Sequence, residues 1–71
     1  MISYKKLWML LIDRGMTKTD LRTSTGMSTA SLAKLGKNQP VSMTVIMRIC
    51  NLLECDIGDI MEVTLQEKER L

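Results

Sequence analysis

The chain has 71 residues, 45% of them hydrophobic, with a formal net charge of +2 and no histidine. That length makes one small domain with a thin core, in which no room for a ligand pocket is expected. Only Trp8 and Tyr4 are aromatic, so Leu, Ile and Met fill the interior, which suits helix packing better than a β-sandwich. No apolar run approaches the length of a bilayer span, and Leu7 to Ile12 is too short and too closely flanked by charge for a secretory signal. A cytoplasmic location is the expectation.

In chain order, Ser3 to Arg14 reads as a first helix, with Tyr4, Leu7 and Leu11 at helical spacing and Trp8 and Ile12 on an adjoining stripe. Gly15 stops it. Thr17 follows as an N-cap, with Asp20 three residues on to reach back to it, and Lys18 to Thr25 forms a second helix of barely two turns. Its only strongly apolar residue is Leu21, so its stability must come from its neighbours. Gly26 ends it, because a residue with positive φ is most cheaply a glycine. Met27 plugs the turn. Ser28 caps a third helix from Thr29 to about Leu35, with Leu32 and Leu35 on one face and Thr29, Ala30, Ser31, Ala33 and Lys34 on the other.

This middle segment is the functional heart of the sequence. Small residues at the start of an exposed helix permit close approach to the floor of a DNA major groove, and Lys34 reaches further one turn later. Lys37, Asn38 and Gln39 follow in a loop suited to phosphate contacts. Pro40 and Ser42 then announce a fourth helix, Met43 to Leu53, with Ile46, Ile49, Cys50 and Leu53 on its core face. Asp56 is read as the cap of a short fifth helix through Met61. Glu62 to Leu65 is either its frayed end or a short β segment, and residues 66–71 are expected to form a flexible tail beyond a single domain of 1–65.

Charge is unevenly divided. Residues 1–40 carry seven cations against two carboxylates, whereas residues 41–71 carry three against six. A basic half and an acidic half would orient the domain on DNA.

The run from Leu10 to Met61 resembles the Cro and phage-repressor type of helix-turn-helix, also called the Xre family. The likeness is carried by Thr17-Lys18 before Leu21, by Gly26-Met27-Ser28, by Leu32 and Leu35, and by Pro40 through Ile46. It continues in Ile49-Cys50, Leu53 and Cys55 through Met61. The resemblance implies an all-α, compact five-helix domain in which helices 2 and 3 form the helix-turn-helix, binding double-stranded DNA as a homodimer. It also implies base-reading roles for Thr29, Ala30 and Lys34, and phosphate contacts by Lys18, Ser28, Lys37 and Asn38. Three positions depart from the family pattern. Lys18 stands where Gln is common, Arg22 where a small Ala is usual, and Gly36-Lys37-Asn38 where many relatives have an acidic residue.

The remaining chemistry is sparse. Cys50 and Cys55 are five apart, which places them about 140° apart around a helix, on different faces, a poor geometry for a disulfide. Without histidine or a second cysteine pair, a zinc site is not expected, and both thiols read as small core residues. Asp56 and Asp59 are better explained as a cap and first-turn charge than as a catalytic pair. No nucleophile and base arrangement is visible, so an enzyme is not expected, nor is any cofactor or small-molecule ligand. The reading is a sequence-specific transcriptional regulator. The alternative is a protein-interaction module, such as an antitoxin-like or adaptor subunit, with Trp8, Met9, Ile12, Met61 and Val63 available for docking. For a homodimer, the expected contact surface is Met61, Val63 and Leu65.

Overall fold

A computed structural model of the protein describes residues 1–65, and the expected tail of 66–71 lies outside the described residues. The elements run β1 (Ile2–Ser3), α1 (Lys5–Asp13), α2 (Lys18–Thr25), α3 (Thr29–Gly36), α4 (Met43–Leu53), a single 3₁₀ turn (Ile57–Asp59) and β2 (Glu62–Val63). The expectation of five helices is therefore corrected, among the described residues, to four α-helices and a small sheet. The broadly helical character stands.

Two local causes account for the correction. The sequence between Asp56 and Ile60 closes a reciprocal cap, in which Asp59 Oδ2 accepts from the Asp56 N–H at 2.9 Å and Asp56 Oδ1 accepts from the Ile57 N–H at 2.7 Å. The turn ends three residues later, too soon for an α-helix, because the chain must straighten into β2. Glu62 and Val63 then pair antiparallel with Ser3 and Ile2. That pairing draws Ile2 and Ser3 into extended backbone, so α1 begins at Lys5 rather than at Ser3.

The core is one cluster formed by Tyr4, Leu7, Leu11, Leu21, Met27, Leu35, Val45, Ile46, Ile49, Leu53 and Ile60. Every α-helix contributes to it, and α2, apolar only at Leu21, packs chiefly on α4. Burying each of these large side chains is worth about 1.5–3 kcal/mol, and that burial holds the two short polar helices in place.

Helix ends follow the capping residues closely. Thr17 and Asp20 form the reciprocal pair expected of them, at 2.9 and 3.0 Å. Ser28 caps α3 and Ser42 caps α4, each accepting the N–H three residues on. Gly26 ends α2 with φ +73°, the left-handed conformation for which glycine carries no steric penalty. At the end of α4 the same conformation falls on Glu54, with φ +51°. There the chain reverses, and the Cys55 N–H donates back to the Cys50 carbonyl at 3.1 Å. Cys55 is thus beyond the helix, and the two cysteines are brought together by the turn instead of facing apart. Both thiols are half-buried, and burial raises the pKa of each above the ordinary thiol value.

Candidate nucleic-acid interface

The site is built on α2, the short linkage through Gly26 and Met27, and α3. Its two helices are linked through a residue whose importance the sequence did not announce. Thr25 is buried, and its hydroxyl donates to the Leu21 carbonyl at 2.7 Å while accepting weakly from the Met27 N–H at 3.4 Å. One side chain therefore closes the last turn of α2 and opens the approach to α3. Met27 fills the space beneath, only 3% exposed. A turn fixed from within sets the angle between the two helices.

On α3, Leu35 is fully buried and Leu32 half-buried, which turns Thr29, Ala30, Ala33 and Lys34 to solvent. All three expected base readers lie on this exposed face. The four expected phosphate-contact residues, Lys18, Ser28, Lys37 and Asn38, are exposed as well. Their side chains are not equally free, however. The Ser28 hydroxyl is engaged as the α3 cap, accepting from the Ser31 N–H at 3.1 Å and donating to Ser31 Oγ at 3.2 Å. Its backbone N–H and those of the next residues, at the start of a helix, are the groups left to meet an anion.

Asn38 is engaged more deeply. It holds φ +55°, a conformation that Asn tolerates better than most residues, and its Oδ1 accepts from the Tyr4 N–H at 3.1 Å. The Tyr4 hydroxyl in turn donates to the Gln39 carbonyl at 2.8 Å. The loop after α3 is thereby tied to the start of α1 through two hydrogen bonds. Only the Asn38 Nδ2 group remains as a donor toward solvent.

Lys18 opens α2, and its Nζ lies 4.5 Å from the centroid of the Trp8 ring on α1. Trp8, half-buried, is packed against the core. Arg22, at the position where a small Ala is usual, is half-buried on α2. The carboxylate of Asp20 serves the Thr17 cap, and the hydrogen bonds from Thr17 hold its pKa below the ordinary carboxylate value.

Residues 6–66 match the family model of the Cro/C1-type HTH DNA-binding domain. The chain belongs to this family. Two relatives match over most of the chain. The uncharacterized HTH-type transcriptional regulator YozG of Bacillus subtilis (strain 168) is 35% identical over 60 residues, covering 82% of this chain and 71% of YozG. The crystal structure of the transcriptional regulator VanUg is 57% identical, with a TM-score of 0.84, and covers 86% of this chain and 81% of VanUg.

The sequence places Trp8 on the first helix and among docking candidates but does not show its contact with Lys18, nor the roles of Thr25 and the structural side of Asn38. Thr25 leaves a weak signal, as a hydroxyl at a helix end immediately before a glycine turn. Trp8 and Asn38 leave none, since their partners lie in other elements.

Proposed function

We propose that this DNA-binding transcriptional regulator acts as a symmetric homodimer on an inverted-repeat operator, each protomer laying α3 in a major groove. Thr29, Ala30 and Lys34 read base edges. Lys18, Lys37, the Ser28 backbone N–H and Asn38 Nδ2 hold phosphates on either side. The observation that carries this reading is the exposed, small-residue face of α3 ending in Lys34, beside a cap and loop that supply backbone and cationic donors. Two-fold symmetry would set half-sites about one helical turn, roughly 34 Å, apart.

The protein works as a binding module without a catalytic step, in the cytoplasm where its operator lies. Membership in a DNA-binding family and the two regulator relatives support the first part of this reading. Among the described residues, no helix is long and apolar enough to cross a membrane.

Mobility-shift titration against fragmented genomic DNA, followed by sequencing of the bound fraction, tests the proposal. Saturable binding that resists competitor DNA and converges on an inverted repeat is the expected result. Weak binding to all fragments alike would refute specific operator recognition.

A further inference from the structure

We propose that Trp8 is a positioning residue for DNA binding: its indole face holds the Lys18 ammonium ready for a backbone phosphate. The inference rests on the proposed phosphate role of Lys18 and adds a residue that touches no DNA itself.

Lys18 is the first residue of α2, where the positive end of the helix dipole disfavours a cation. It is also exposed, and a free lysine there would spread over many rotamers. Its ammonium instead sits 4.5 Å above the Trp8 ring. The ring is restrained on one side, since Trp8 is half-buried and packed against the core. A cation on an aromatic face keeps the rest of its N–H groups turned away from the ring, so the stack restrains the side chain without consuming its hydrogen-bonding capacity. The rotamer entropy that phosphate binding would otherwise remove is thus lost on folding. A lysine held by a half-buried tryptophan is a better phosphate ligand than the same lysine in free solution.

The test is equilibrium titration of a fluorescein-labelled random-sequence duplex at several salt concentrations. The variants are Lys18→Ala, Lys37→Ala, Trp8→Leu, Trp8→Phe and the Trp8→Leu/Lys18→Ala double mutant. Loss of the stack is expected to weaken binding about two- to fivefold in Trp8→Leu, with Trp8→Phe recovering part of the loss. In the double mutant the Trp8 change adds nothing to the Lys18→Ala defect. Trp8 is the sole tryptophan, so its emission reports on the stack directly and is expected to change when DNA binds the wild type but not Lys18→Ala.

The failures separate. If Lys18→Ala leaves affinity and salt slope unchanged while Lys37→Ala lowers both, Lys18 holds no phosphate and the proposal falls with that assignment. If Lys18→Ala weakens binding but Trp8→Leu, folded by circular dichroism, does not, the phosphate role survives and the positioning role is overturned. If Trp8→Leu does not fold, the emission comparison decides, and identical DNA responses in wild type and Lys18→Ala refute the proposal.

Discussion

The backbone N–H of Tyr4 donates to the side-chain oxygen of Asn38 across 3.1 Å, joining residues 34 apart in the chain. This one bond satisfies the N–H of the α1 N-cap residue itself, whose side chain makes no capping bond. It also fixes the loop that carries Lys37. A residue expected to contact DNA is therefore part of the scaffold.

Asn38→Ala is expected to destabilise the fold by about 1–2 kcal/mol, through the missing hydrogen bond and the left-handed φ now forced on alanine. Tyr4→Phe removes only the bond to Gln39 and should cost about 0.5–1.5 kcal/mol. Urea unfolding with unchanged m-values checks both. An Asn38→Ala protein as stable as the wild type would leave Asn38 with no structural role.

Glu54 ends α4 in the left-handed conformation that glycine adopts without a Cβ penalty. Glu54→Gly should raise stability by about 0.5–1 kcal/mol, the relieved strain exceeding the entropy added to the unfolded chain. Thermal unfolding of the two proteins at equal concentration reads the difference. A lowered Tm would mean that the Glu54 side chain contributes more than its backbone costs.

Recognition of sequence is expected to reside in Thr29 and Lys34. Either alanine variant should relax preference at one or two positions per half-site, by about 1–3 kcal/mol for each base edge that is no longer read. Selected-fragment sequencing with each variant gives the profile. Unchanged profiles for both would move base reading elsewhere.

Alkaline stability should be set in part by Tyr4, whose pKa burial raises above the ordinary phenol value of 10.0. In the unfolded chain the hydroxyl titrates near that ordinary value, so the folded state holds its proton more tightly. The contribution is present in full below about pH 10 and is lost as pH rises through the folded pKa. Urea midpoints of wild type and Tyr4→Phe should accordingly converge on the alkaline side, and a constant gap between them would exclude the coupling.

Sedimentation of the free protein and its DNA complex tests the homodimer. Of the expected contact residues, Val63 and Leu65 are exposed while Met61 is half-buried, and a second apolar surface lies at Met43, Met47 and Ile57. Val63→Asp should dissociate a dimer built on the C-terminal segment, and Met47→Asp should not. The reverse result would place the interface on α4. One protomer per site at saturation, with full specificity, rules the dimer out.

The elements legible in the sequence are those whose signals are local. Caps at Thr17, Ser28 and Ser42 and the glycine at 26 set the limits of α2 and the starts of α3 and α4, because each acts within four residues of itself. The start of α1 is not legible because it depends on Glu62 and Val63, some sixty positions away, and no periodicity in Ile2-Ser3 records that partner. The last turn reads as longer than it is for the same reason. At the candidate interface, exposure of Thr29, Ala30 and Lys34 follows from α3 periodicity, whereas the Trp8–Lys18 stack and the Asn38 clamp are tertiary contacts between elements.

The small sheet has a consequence for chain connectivity. Ile2 pairs with Val63, the Met1 ammonium donates to the Thr64 carbonyl at 3.2 Å, and the Thr64 N–H donates to the Met1 carbonyl at 2.7 Å. Positions 1 and 64 are thus hydrogen-bonded neighbours, and a short linker between them would span no empty space. A permutant of residues 1–64 joined in that way and opened in an exposed turn such as Gly15 is expected to retain the same packing around the core.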